Sequence, residues 1–147
     1  MPAKTTRKGQ WVIRTFLVCD DVTQDKKDKW TIFGAYNGVV IFLVPQPPPS
    51  VLVMPKLTVF IGVQFSPGQY DFEVDVVDPK NKRIISGKMK FTGTDAEEVL
   101  HVPISWGPVR FHEAGTYTVR FGEARKKRRI GQFVVRMQPQ AAQPAAS

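Results

Sequence analysis

A chain of 147 residues, 42% hydrophobic and 23% charged, is long enough for one continuous apolar core and too short for two ordinary ones, so a single folded domain is expected and wholesale disorder is excluded. One cysteine precludes an internal disulfide, and with only two histidines there is no Cys/His zinc framework. The net charge of +8 is concentrated at Lys4, Arg7 and Lys8 and at Arg125, Lys126, Lys127, Arg128 and Arg129; these eight leave 13 of the 21 cations against 13 carboxylates, so the body of the domain is neutral.

Residues 1–10 are polar and basic without periodicity and read as a flexible arm. Trp11 to Cys19 is rich in β-branched and aromatic residues and reads as a strand covered on both faces at one end. Arg14 interrupts this run, no small-residue cleavage site precedes it and no segment is long enough for a bilayer, so a cytoplasmic protein is expected. Asp20 and Asp21 follow, then a polar hairpin loop from Thr23 to Lys29. Trp30 to Gly34 and Val39 to Val44 read as one strand broken at Tyr36-Asn37-Gly38, where the Asn-Gly pair can supply positive φ.

Pro45 to Pro49 cannot donate ladder hydrogen bonds from its prolines, which predicts a stiff loop crossing between two sheets ahead of Ser50 to Lys56. A Pro-x-x-Pro ligand for an aromatic groove is the functional alternative there. Leu57 to Phe65 alternates, with Leu57, Val59, Ile61, Val63 and Phe65 on one face. Ser66 to Gln69 turns the chain into Tyr70, Phe72, Val74 and Val76, which alternate with Asp71, Glu73 and Asp75 on an expected solvent face. After a turn at Asp78 to Lys82, Arg83 to Phe91 sets Lys88 and Lys90 opposite those acids, which adds some tenths of a kcal/mol per pair. Thr92 to Glu97 is a loop with room for one helical turn capped by Asp95.

Leu100, Val102, Ile104 and Trp106 mark the next strand. Gly115 then opens Thr116 to Phe121, in which Tyr117, Val119 and Phe121 face inward. The Glu-Ala-Gly-Thr-Tyr order at Glu113 to Tyr117 resembles the corner of immunoglobulin-like domains, where a tyrosine hydroxyl bonds back to the preceding loop. Gly68 to Val74 echoes Gly115 to Phe121 as Gly-x-Tyr-x-apolar-x-apolar, which is the form of any turn glycine followed by a half-buried strand. Gly122 to Arg129 is a charged hairpin tip and Ile130 to Met137 the closing strand. Residues 138–147 read as a disordered Gln/Pro/Ala tail beyond a domain expected to span 11–137. The expected fold is all-β: an antiparallel Greek-key β-sandwich of immunoglobulin-like type with eight or nine strands.

The run Leu17-Val18-Cys19-Asp20-Asp21, the segment Trp30 to Gly34, Leu57 to Val63, Gly68-x-Tyr70 ending in Asp78-Pro79, and the Gly115 to Tyr117 corner together resemble an uncharacterised family of small bacterial β-sandwich proteins, a domain of unknown function. The resemblance spans Phe16 to Val135. It implies a fold and no reaction; the basic tip and the long proline loop depart from the family pattern.

Cys19 would need a base and an acid nearby to act as a nucleophile, and at the end of an apolar run it reads as a small buried hydrophobe. His101 falls on the polar register of its strand and His112 in a loop, so neither completes a Cys/His pair. Asp20, Asp21, Asp25 and Asp28 are candidate calcium ligands at one rim, with Lys26, Lys27 and Lys29 interleaved against that use. Five successive cations at Arg125 to Arg129 repel one another, so the tip is either a solvated turn that discourages sheet association or, together with Lys4, Arg7 and Lys8, a grip on phosphates. The expectation is a non-enzymatic binding or scaffolding module without a cofactor, engaging a protein through loops or a sheet edge. Alternatives are a nonspecific nucleic-acid or anion binder and a calcium-assisted interaction domain, and self-association is a further expectation.

Overall fold

Period-two alternation becomes strand along most of the chain. The computed structural model describes residues 10–93 and 98–140, which hold twelve strands and no helix. They are β1 (Trp11–Cys19), β2 (Asp21–Gln24), β3 (Trp30–Phe33), β4 (Val39–Val44), β5 (Leu52–Met54), β6 (Leu57–Phe65), β7 (Gly68–Val77), β8 (Arg83–Gly93), β9 (Val99–Trp106), β10 (Val109–Phe111), β11 (Gly115–Gly122) and β12 (Arg128–Pro139). The three strands beyond the expected nine are β2, β5 and β10, each only three or four residues long. Segments this short carry too little alternation to be read locally. The helical turn expected near Asp95 lies outside the described residues.

A five-stranded sheet has the order β4-β12-β11-β7-β8 and a three-stranded sheet the order β1-β6-β9; β2–β3 and β5–β10 are separate pairs. All pairings are antiparallel except β12 with β4, which run parallel from Val134 opposite Val39 to Pro139 opposite Val44. The expected broken strand is thus two strands in different sheets. Tyr36 still bonds to Val18 of β1, and after Gly38, at φ 78°, the chain joins β12 of the other sheet. A positive φ is accessible to glycine without the Cβ penalty, so the sheet change falls at the Asn-Gly step.

Side chains from both larger sheets meet in one core. Trp11 of β1 stands edge-on to Phe72 of β7 and Phe121 of β11 at 5.9 and 5.1 Å, and Phe65 of β6 packs on Tyr70 and Phe72. Each such side chain, removed from water, contributes about 1.5–3 kcal/mol. Strand β6 is covered on both faces: Phe60, on the face opposite Val59 and Ile61, lies between Trp30 and His101. Gly131 on β12 leaves the space that the Phe16 ring occupies, and a Cβ there would lie 2.3 Å from it.

Two tyrosines tie turns to the core in the same way. Tyr117 donates its hydroxyl to the Glu113 carbonyl at 2.7 Å, and Tyr70 donates to the Ser66 carbonyl at 2.7 Å, each four residues upstream. Burial pushes the Tyr117 hydroxyl above its ordinary pKa, so it remains a donor. The resemblance between the two Gly-x-Tyr stretches therefore extends to a shared hydrogen bond.

Candidate functional site: the open edge of the five-stranded sheet

Among the described residues, strand β4 is paired on one side only, with β12. Its six residues are all apolar. Val40 and Val44 point into the core, while Ile41 and Leu43 are 53% and 65% exposed. The remaining edges of the two larger sheets carry features that discourage an incoming strand. Strand β8 presents Lys88 and Lys90, β9 contains Pro103, and β1 is bulged between Ile13 and Thr15 with Arg14 at the bulge. Strand β4 has none of these. Val53 of β5, Phe33 of β3 and Met137 of β12 are further large apolar side chains left exposed.

Beside β4 lies a cleft of about 450 Å³, lined by Val40, Ile41 and Phe42 on one side and by Met54, Pro55 and Lys56 on the other. Asp20, Asp21 and Tyr36 close its end. The Tyr36 hydroxyl donates to Asp20 Oδ1 at 2.5 Å, and burial followed by the Asp20 carboxylate pushes its pKa up to about 12. It therefore remains protonated and fixes Asp20. Lys56 Nζ donates to Asp21 Oδ1 at 2.7 Å, and this bond together with the amide of Val22 holds the Asp21 carboxyl below its usual range. A Cβ at Gly34, φ 60°, would fall on the Asp20 carboxylate, so a glycine is needed on both counts. Cys19 is fully buried, and desolvation followed by the charges of Asp20 and Asp21 raises its pKa, which keeps it a thiol.

The four aspartates considered for calcium have separate partners. Asp25 caps its own turn by accepting the amides of Lys27 and Lys29, and Asp28, at φ 61°, accepts the Gln24 amide at 3.5 Å. No group of three or more His, Cys, Asp or Glu residues among those described is placed to hold a metal ion. His101 stacks on Phe60 with centroids 5.5 Å apart, and His112 is exposed.

The basic tip does not stay together as a patch. Lys127 folds back so that Nζ lies 2.8 Å from Asp75 and 3.4 Å from Glu73. Arg128 lies over the Trp11 ring at 3.7 Å and donates to the Trp11 carbonyl. Arg128 and Arg129 belong to β12, opposite Phe121 and Arg120. Arg125, Lys126 and Arg129 remain exposed, as does Arg128 beside the Trp11 ring, and the shallow hollow beside Arg125 and Lys126 also holds Asp71 and Glu123. Lys4, Arg7 and Lys8 lie outside the described residues. The expected solvent row on β7 is corrected at Asp75: it is fully buried because Arg120 and Lys127 roof it.

Sequence reasoning identified β4 as a strand but missed Ile41 and Leu43 as surface. An unbroken apolar run signals burial on both faces, and only the sheet order shows one side of this strand to be open.

Among the described residues, fold and edge together define an all-β domain of mostly antiparallel strands whose two larger sheets leave one apolar edge unguarded. The chain belongs to DUF6941, a family of unknown function, whose family model matches residues 14–125. No curated protein matches the sequence. The match takes in β4, the cleft and the Asp20–Asp21 turn; it ends at the first cation of the tip and leaves β12 outside. No helix among the described residues is long and apolar enough to cross a membrane.

Proposed function

We propose that this protein is a non-enzymatic binding module that receives an extended segment of another protein along β4. The observation that carries the reading is the contrast between edges: among the described residues, β4 alone of the edges of the two larger sheets presents an unbroken apolar strand, with Ile41 and Leu43 outward. An added strand would satisfy the backbone groups along that edge, and alternate side chains would enter the cleft of Phe42, Met54 and Pro55. The Asp21–Lys56 pair at the cleft offers one donor and one acceptor to polar groups of the guest. In this reading the two sheets form an immunoglobulin-like Greek-key sandwich, supported by the two tyrosine corners and the shared core.

The test is capture from a nuclease-treated lysate by wild type and by Ile41→Lys/Leu43→Lys, with a photo-crosslinker at position 43. The expected result is a crosslinked protein that survives nuclease and is lost in the lysine variant at unchanged melting temperature. Undiminished capture by the lysine variant overturns the reading. A concentration-dependent dimer abolished by the same variant would assign the edge to a second copy of the chain instead.

The anion-binding reading rests on fewer cations than the sequence suggests, because Lys127 and Arg128 have internal partners. Arg125, Lys126 and Arg129 would carry it, and alanines at those three positions test it by the salt dependence of nucleic-acid binding. The calcium-assisted reading would have to draw Asp20 from Tyr36 and Asp21 from Lys56.

A further inference from the structure

A second cleft, of about 460 Å³, lies on a different part of the surface and gathers cations from two separate segments. Lys82 and Arg83 come from the β7–β8 turn and the start of β8; Arg110 comes from β10 and His112 from just after it. Val109 and Phe111 are buried, so strand alternation sets Arg110 on the outer side of β10. The turn is rigidly built. Asp78 N–H donates to the Lys82 carbonyl, Asn81 sits at φ 64°, and Asp78 Oδ1 accepts the amides of Lys80 and Lys82.

Lys82, Arg83 and Arg110 form no ion pair among the described residues, whereas Lys56, Lys88, Arg120 and Lys127 each have a carboxylate partner. Lys82, Arg83 and Arg110 outnumber the single Asp78 carboxylate in the cleft, and their mutual repulsion is offset when a further anion joins them. Ile84, Ile85 and Pro108 supply an apolar wall beside the charges. The volume falls in the range of small-ligand sites, of roughly 300–1,000 Å³.

We propose that this cleft binds the phosphate monoester of a small molecule. Arg83 and Arg110 would grip the phosphate oxygens, since the guanidinium fork matches that geometry, and Lys82 would add a point charge. The apolar remainder of the ligand would lie against Ile84 and Pro108. Asp78, whose Oδ1 is engaged by the turn, leaves Oδ2 for a ligand hydroxyl. A small molecule is favoured over a nucleic acid because the cations surround one cleft that also contains a carboxylate, instead of following a backbone track.

The experiment titrates wild-type protein with phenyl phosphate and with inorganic phosphate by calorimetry, and follows the methyl resonances of Ile84 and Ile85 and the His112 ring by NMR. Phenyl phosphate should bind more tightly than inorganic phosphate and shift those resonances. Arg83→Ala/Arg110→Ala should weaken binding by at least about tenfold, as loss of charge-assisted hydrogen bonds does, while Arg125→Ala/Lys126→Ala should leave it unchanged. Both arginines are exposed and unpaired, and the NMR mapping on wild type decides the matter if the double variant is destabilised. Absence of saturable binding, equal loss in the tip variant, or a single-stranded oligonucleotide that binds more tightly and is released by the tip alanines would overturn the proposal.

Discussion

Arg120 holds Asp75 by two parallel hydrogen bonds, 2.8 Å from Nε to Oδ1 and 2.9 Å from Nη2 to Oδ2, on the outer face of the five-stranded sheet. Lys127 adds a third contact at 2.8 Å, and the carboxylate is fully buried. Removing it would leave Arg120 without its counterion and facing Lys127, which would keep only the longer contact with Glu73. Asp75→Ala should therefore cost about 3 kcal/mol, as breaking a buried pair does. Lys127→Ala should cost about 1 kcal/mol, since Arg120 still neutralises the site. Urea unfolding of the three proteins checks the order.

The same group sets an acid limit. Burial is the largest single influence on Asp75 and raises its pKa, but the hydrogen bonds and charges of Arg120 and Lys127 together outweigh it and hold the pKa below the ordinary value of 3.8. A carboxyl depressed on folding stabilises the native state above its unfolded pKa and loses that contribution as pH falls through the folded one. Stability should accordingly drop below about pH 3.8 in wild type, and the slope should be shallower in Asp75→Asn; melting temperatures across that range measure it.

The tip should divide energetically. Alanines at Arg125, Lys126 and Arg129 together should change stability by less than about 0.5 kcal/mol each, as for unremarkable surface sites. Arg128→Ala should cost about 1 kcal/mol through the lost ring contact with Trp11, and Trp11 fluorescence should report the change.

The corners should differ in strength. Tyr117→Phe loses one bond to the Glu113 carbonyl and should cost about 1 kcal/mol. Tyr70→Phe loses two contacts at buried Ser66, to its carbonyl and its hydroxyl, and should cost about 2 kcal/mol. Capture through β4 should be unaffected in both, and a folded Tyr117→Phe protein that no longer captures its partner would place that tyrosine in the site.

Gly131→Ala should destabilise by about 1–3 kcal/mol, because the new methyl would meet three atoms of the Phe16 ring at 2.3–2.5 Å and force the ring or the strand to move. Phe16→Leu in the same chain should recover part of that loss, measured as a rise in melting temperature.

Much of the fold is legible along the chain because side-chain alternation and turn chemistry are local. Leu57 to Phe65, Tyr70 to Val76 and Tyr117 to Phe121 show their inward faces by period, Asn37-Gly38 marks a positive φ, and Glu113 to Tyr117 specifies its corner. Cross-strand pairing of Glu73 with Lys88 and Asp71 with Lys90 follows from the turn between their strands.

The candidate sites are not local. Parallel pairing of β4 with β12 joins residues 95 positions apart, at Val39 and Val134, and no turn announces it. The fate of the tip was equally hidden, since a run of five cations looks uniform until Asp75 draws Lys127 inward and the Trp11 ring engages Arg128 at the surface. Sequence alone determined where the longer strands and the corners form, because those depend on neighbours a few residues away. Tertiary structure alone decided which edge stayed open and which charges stayed free, because both depend on partners brought together only when the sheets close over a common core.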